Sequence, residues 1–205
     1  MQLTDLHFGE DLEADEKTVE EIQDMIRKEE PDFVAVTGNI VSGFAWDANN
    51  GEVDFWKHNY AKLHSILDAE EIPYGIVPGY TDFEADVDQD GMMELALASP
   101  YSVVRYNPYQ HNGREMHHQF TYQVPIRNNY DQNEVQARLW FFGTGRGNCM
   151  GTGGMDCVRR DQIEWFKDES NLIPEDDPSR WNGIAFMHHA LQEHMTLVNN
   201  YPVHG

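Results

Sequence analysis

The chain has 205 residues, of which 40% are hydrophobic, which is enough to bury a core and too many for a disordered chain. It carries 14 Lys and Arg against 36 Asp and Glu, and a formal net charge of −22 repels nucleic acid and anionic lipid. No apolar run approaches the roughly 18 residues that a membrane span needs, so we expect a soluble protein without a transmembrane segment.

The first half of the chain alternates between strand and helix patterns. Val19, Ile22 and Ile26 recur at helical spacing, whereas the run after Asp32 is continuously apolar and typical of a buried parallel strand. We predict strands over 1–6, 32–37 and 73–78, and helices over 13–30 and 54–70. This βαβαβ order favours right-handed crossovers and a largely parallel sheet.

The second half is less regular. We predict a short helix over 92–98, strands over 119–125 and 137–143, a helix over 159–169 and a strand over 183–187. The strands over 119–125 and 137–143 are separated by a polar turn and not by a helix, which indicates antiparallel pairing and a mixed sheet. We therefore expect one α/β domain over 1–205.

The two cysteines lie in a glycine-rich stretch over 143–157. Cys149 and Cys157 either close a short loop in an oxidising compartment or stay free thiols in a reducing one. The stretch lacks Gly-Lys-Ser/Thr, which argues against a phosphate-binding P-loop.

The start of the chain carries no signal-peptide pattern, so the sequence does not indicate the compartment. An organellar or secretory lumen fits only if a targeting segment lies upstream.

Polar residues gather where four predicted strands end. Asp5 and His7 follow the first strand, Asn39 the second, residues 79–82 the third, and His188 and His189 the last. Ligands bind at the carboxyl ends of parallel strands, and a carboxylate two residues from an imidazole suits zinc, iron or manganese. An alternative stays open, in which Asp5 caps a turn and His7 lies on the surface. The histidines His117 and His118 precede a strand and are expected to be solvated.

Several segments together resemble the calcineurin-like metallophosphoesterases, in particular the purple-acid-phosphatase-like branch. Residues 3–9 (LTDLHFG), 28–40 (KEEPDFVAVTGNI) and 72–84 (IPYGIVPGYTDFE) are similar to the first three motifs, and 139–145, 160–166 and 184–193 resemble later ones. The resemblance covers nearly the whole chain. It implies a two-layer β-sandwich flanked by helices, with two metals that share a bridging carboxylate and clamp a phosphate while a metal-bound hydroxide attacks.

The chain departs from this pattern at the site. The bridging Asp is replaced by Asn39, whose neutral amide is a poor bridge. The expected Asn ligand and His acid are replaced by Tyr80 and Thr81, and a threonine cannot protonate a leaving group near neutral pH. The resemblance leaves Asp5 and His7 for one metal and His188 for the other, with Asn39 and Tyr80 at degenerate ligand positions.

The family's C-terminal Gly-His-x-His motif does not occur before Gly205. We therefore expect a truncated domain that lacks the last strands of the sandwich. The residues that could compensate for the missing ligands are Asp82, His189 and His194.

The sequence therefore predicts a pseudoenzyme that acts as a structural or interaction subunit of a larger assembly. It predicts no catalytic residue, no cofactor or at most one divalent Zn, Fe or Mn ion, and other protein subunits as partners. The alternatives are a weak metal-dependent phosphatase with a residual metal site, and a module that binds metal or a phospho-ligand without turnover. The sheet edge left open by missing strands would need a permanent neighbour.

Overall fold

The computed structural model describes residues 1–48, 53–151, 153–191 and 193. These ranges form a mixed α/β structure with two three-stranded sheets and a two-stranded hairpin. The helices are α1 (Leu12–Glu29), α2 (Gly43–Ala48), α3 (Phe55–Ala69), α4 (Gln89–Ala98) and α5 (Arg160–Leu172). The strands are β1 (Gln2–Leu3), β2 (Val34–Val36), β3 (Tyr74–Ile76), β4 (Gln110–His111), β5 (Arg114–Glu115), β6 (Thr121–Arg127), β7 (Val135–Phe142) and β8 (Gly183–Phe186).

The first sheet is parallel, in the order β1–β2–β3, which confirms the predicted βαβαβ core. Its strands are shorter than predicted, with two or three residues each. Asp5 and Asn39 adopt left-handed backbone with φ of 54° and 51°. Because an extended ladder cannot continue through left-handed residues, β1 and β2 end before them.

Helix α1 is capped at both ends by residues next to it in the sequence. The Asp11 side chain accepts the Ala14 N–H at its start, and Glu30 closes its end in the left-handed region with its N–H bonded to Ile26 O. Ile22 and Ile26 point into the core. The predicted helix was therefore correct to within one residue at each end.

The second sheet is mixed, as predicted: β7 pairs antiparallel with β6 and parallel with β8. Tyr122 and Phe141 stack with ring centroids 4.7 Å apart. The Tyr122 hydroxyl donates to Ile76 O of the first sheet at 2.8 Å, and a Cβ on Gly75 would lie 2.8 Å from Phe141 Cζ. The two sheets are thus in direct contact through one buried hydrophobic cluster.

A disulfide joins Cys149 to Cys157, so of the two arrangements considered for these cysteines the structure contains the closed loop. The glycine-rich stretch is thereby a closed loop between β7 and α5. Within the described ranges, no helix is both long and apolar enough to cross a bilayer.

Candidate metal centre at the strand ends

The structure places the predicted site residues at the carboxyl end of the first sheet. Asp5 and His7 follow β1, Asn39 follows β2, and Tyr80 and Thr81 follow β3. His188 follows β8 and reaches the same place, because its Nδ1 lies 2.7 Å from Thr37 O. A carbonyl oxygen only accepts, so Nδ1 carries a proton and donates it to Thr37 O.

Three of these residues have strained backbone. Asp5, His7 and Asn39 all have φ between 51° and 54°, a region that costs of order 1–3 kcal/mol for a residue with a side chain. Backbone hydrogen bonds hold them there: Asp5 N–H donates to Gly38 O and His7 N–H to Asn39 O, each at 3.0 Å. Such clustering of strained residues is typical of binding and catalytic sites.

The Asn39 amide forms hydrogen bonds with two other strand-end residues, Asp5 and Thr81. Its Nδ2 donates to Asp5 Oδ1 at 2.9 Å, while its Oδ1 accepts the Thr81 N–H at 3.0 Å and lies 3.1 Å from Thr81 Oγ1. This network fixes the orientation of the amide, because the Thr81 N–H can only donate. An N–H group therefore faces the Asp5 carboxylate, at the residue to which the family resemblance assigns the bridging ligand.

Asp5 is ionised at neutral pH. Partial burial acts to raise its pKa, but hydrogen bonds from Thr4 and Asn39 and the nearby His188 and His7 imidazoles lower the pKa below its usual value. The carboxylate is therefore available to a cation or, as here, to hydrogen-bond donors.

His7 has the partners that a metal-binding histidine needs. Its Nδ1 lies 2.7 Å from Ser42 Oγ and 3.1 Å from Glu10 Oε1, and Ser42 Oγ donates to that same carboxylate. The Ser42 oxygen must then accept from Nδ1–H, which leaves Nε2 as the ring nitrogen that faces Asp5, 3.7 Å from its Oδ1. An outer carboxylate of this kind orients a metal-ligating imidazole.

Asp82 holds the loops of the site together. Its carboxylate is fully buried and accepts the N–H groups of Val41 and Gly79 at 2.8 Å and of Ile40 at 3.3 Å. Burial raises the pKa of this carboxyl, and the backbone hydrogen bonds act in the opposite direction. Both oxygens are thus engaged by the backbone.

His189 and His194 were the other two residues that could replace missing metal ligands. His189 is buried beside His188, and His194 lies outside the described residues.

The strand-end residues do not gather three ligand atoms as closely as another cluster does. Among the described residues, the groups of three whose ligand atoms lie within 4.8 Å of one another are His117–His118–Asp156 and Cys149–Asp156–Cys157. The disulfide blocks the thiols of the second group. The first group was missed because only its local sequence was considered.

The expectation that both histidines are solvated was wrong for His118. His118 is 4% exposed, because the chain at Gly145 packs directly onto its ring. Burial lowers the pKa of His118 to about 4, so the imidazole is neutral at physiological pH. A long-range contact with a glycine in the loop after β7 leaves no signal in the sequence around residue 118.

An apolar cavity lies elsewhere, at the disulfide loop. It has a volume of about 550 Å³ and an apolar wall that includes Phe142, Met150, Ile163 and Phe166. None of the strand-end residues lines this cavity, so it is separate from the polar cluster at the strand ends.

No family model matches the chain. The sequence is 25% identical over 215 residues to phosphatase DCR2 of Saccharomyces cerevisiae, covering 96% of this chain and 35% of the yeast protein. The chain therefore spans about a third of the length of that relative. The fold is similar to that of a dimetal phosphatase from Danio rerio, with a TM-score of 0.61 and 10% identity over 94% of this chain and 69% of that chain. Distant homology and fold together support a metallophosphoesterase-like superfamily.

Proposed function

We propose that this chain is a metallophosphoesterase-like domain of the purple-acid-phosphatase-like branch that does not hydrolyse phosphate esters and serves as an interaction subunit. The observation that carries the proposal is the 2.9 Å hydrogen bond from Asn39 Nδ2 to Asp5 Oδ1. A two-metal mechanism needs a bridging carboxylate at this point, and a neutral amide occupies it.

Admitting a metal here has a cost. Asn39 would have to turn its oxygen toward Asp5, which breaks the bond to the Asp5 carboxylate, at about 1.5–3 kcal/mol for a charged acceptor, and the bond to Thr81, at about 1 kcal/mol. The turned amide would still add no negative charge. Thr81 also lacks a proton that it could give to a leaving alkoxide near neutral pH. At residues 39 and 81 the chain therefore lacks both the carboxylate that would bridge two metal ions and the side chain that would protonate the leaving group.

The contact between the sheets supports the proposed architecture. The Tyr122–Ile76 hydrogen bond and the approach of Gly75 to Phe141 fit the two layers of a β-sandwich in one domain over 1–205.

The interaction role is supported by the edge of the second sheet. Among the described strands, β8 pairs with β7 alone, and Ile184 on β8 is 59% exposed. Trp181, just before β8, is 76% exposed. An unpaired edge with exposed apolar side chains favours docking of a strand from another protein subunit. The Cys149–Cys157 disulfide suits an oxidising compartment for this assembly.

A hydrolysis assay tests the proposal. The purified chain is incubated with an aryl phosphate and with a phosphodiester in excess Mn²⁺, Fe²⁺ or Zn²⁺, beside a double variant with Asp5→Asn and His7→Asn. We expect equal background rates for both proteins. Turnover of roughly 1–10³ per second in the wild type that disappears in the double variant would contradict the proposal.

A second candidate function is a weak single-metal phosphatase. The hydrogen bonds among His7, Ser42 and Glu10 favour it, because these partners engage Nδ1 and leave His7 Nε2 facing Asp5. This candidate requires one metal ion per chain at Asp5 and His7 and slow, metal-dependent turnover. Metal analysis of the wild type and the double variant separates the two candidates.

A further inference from the structure

We propose that His117, His118 and Asp156 form a second cation site that binds zinc. None of these residues belongs to the strand-end centre. His117 and His118 precede β6, and Asp156 lies in the disulfide loop before α5. The site would fasten this loop to the second sheet.

The spacing of the ligand atoms fits one ion. One ligand atom from each of the three residues lies within 4.8 Å of the others, and His118 Nε2 is 3.5 Å from Asp156 Oδ2. Two ligands of a tetrahedral zinc, each about 2.1 Å from the metal, lie about 3.4 Å apart. The observed separation is long for a direct hydrogen bond and suits an ion between the two atoms.

An unpartnered buried nitrogen is the second, independent observation. His118 is 4% exposed, and its Nε2 makes no hydrogen bond with any described residue. A buried polar atom without a partner costs about 1–3 kcal/mol and needs an explanation. The nitrogen faces Asp156, which is itself 7% exposed, so a zinc ion between them would satisfy both groups.

Asp156 is held in a position to bind. Its Oδ1 accepts from Arg159 Nη2 at 2.7 Å and from the Cys157 N–H at 2.8 Å, which leaves Oδ2 for the His118 side. Hydrogen bonds of this kind orient a metal-binding carboxylate. The Arg159 charge acts against a cation, and the Asp161 carboxylate, which accepts the His117 backbone N–H at 2.8 Å, adds a negative charge near the site.

The donor set selects the metal. Two imidazoles and one carboxylate suit zinc and are poor ligands for magnesium or calcium. His117 is exposed, so an ion can enter from solvent, and a water molecule would complete the fourth position. With a net charge of −22, the chain attracts divalent cations.

Zinc titration of the metal-stripped chain tests this site. To silence the strand-end centre, we would use the variant with Asp5→Asn and His7→Asn as the background. We expect this background to bind one Zn²⁺ per chain, with a rise in unfolding temperature. Co²⁺ in place of Zn²⁺ should give the visible d–d bands of a tetrahedral ion.

Ligand variants in the same background locate the ion. His117→Asn, at an exposed position that should leave folding intact, and Asp156→Asn should each weaken zinc binding by roughly 10–100-fold or more. His64→Asn is the matched control, because it removes a partly exposed histidine 3.3 Å from Asp68 on α3, and it should leave zinc affinity unchanged. If the background binds no zinc, or if both ligand variants bind it as tightly as the background, the proposal is wrong.

Discussion

Asn39 and Thr81 are matched to each other at the level of single side chains. The amide oxygen accepts the Thr81 N–H, and the amide nitrogen donates to Asp5, so hydrogen bonds link the three strand ends at this point. Neither residue alone explains the arrangement, because the Asn39 amide bonds to Asp5 through its nitrogen and to Thr81 through its oxygen.

Asn39→Asp should make stability depend on metal. The new carboxylate would lie about as close to Asp5 as the present 2.9 Å contact, and two anions at that distance repel. We expect a loss of about 1–3 kcal/mol in the free energy of unfolding in chelator, partly recovered in Mn²⁺. Urea unfolding with and without metal measures both effects.

Asn128→Asp is the matched control for this change. Asn128 Nδ2 donates to Glu134 Oε2 at 2.7 Å in an exposed turn, so the same substitution meets a carboxylate in solvent. Screening there should reduce the effect to less than about 1 kcal/mol, without a response to metal. An Asn39→Asp variant with equal stability in chelator and in Mn²⁺ would show that the Asn39–Asp5 contact is not a substitute for a metal bridge.

Asp82→Asn should destabilise the loops at the strand ends. An amide nitrogen in place of one carboxylate oxygen would face the N–H groups that Asp82 now accepts, those of Val41 or of Gly79 and Ile40. Because the residue is fully buried, water cannot compensate, and we expect a loss of about 2–3 kcal/mol, measured by urea unfolding in chelator.

Asp88→Asn controls for the loss of one negative charge. Asp88 caps α4 by accepting the Gly91 N–H at 3.0 Å, and asparagine caps a helix equally well. This exposed substitution should change stability by less than about 0.5 kcal/mol. Similar losses for both variants would mean that Asp82 does not act as a clamp.

At the scale of secondary structure, the elements with a long periodic pattern were predictable. Helix α1 could be placed within one residue because its apolar repeat and its caps are local. The six-residue α2 is too short to show a repeat. The β4–β5 hairpin carries a signal that was overlooked, Asn112–Gly113, with φ of 54° and 73° as a tight turn requires.

The candidate site was predictable in position and not in geometry. The strand ends indicated which residues meet, because parallel strands end at one edge of a sheet. The sequence could not show that Asn39 turns its nitrogen toward Asp5, since this depends on Thr81 from another strand. For the same reason the burial of His118 under the loop after β7 was missed.

Removing the disulfide should loosen the loop between β7 and α5. The bond closes a loop with a sequence separation of 8, so its loss raises the entropy of the unfolded chain. We expect Cys149→Ser with Cys157→Ser to lower the free energy of unfolding by about 2–3 kcal/mol, measured by urea unfolding in chelator. Wild-type protein reduced with a thiol is the matched comparison and should lose a similar amount. A double variant as stable as the oxidised wild type would contradict this.

At the scale of the whole molecule, the net negative charge opposes association with other copies of the chain, whereas exposed apolar surface favours association. A net charge of −22 keeps separate copies apart, but charge repulsion provides no hydrogen-bond partner for β8, which among the described strands pairs with β7 alone. Ile184 on β8 and Trp181 just before it are exposed apolar side chains at this edge of the sheet, where association with another chain is most favoured.

The β8 edge should therefore bind a hydrophobic dye, and Ile184→Lys should reduce that binding. Ile184 is 59% exposed, and a lysine there adds a charge that opposes pairing with another strand. Fluorescence with the dye, together with the solution mass of the 205-residue chain, measures the exposed surface and any self-association. Leu12→Lys is the matched control, because Leu12 is 76% exposed at the start of α1, and it should leave dye binding unchanged. A monomer that melts cooperatively and binds no dye would defeat the proposal that this edge docks a partner, since an already covered edge has no need of one.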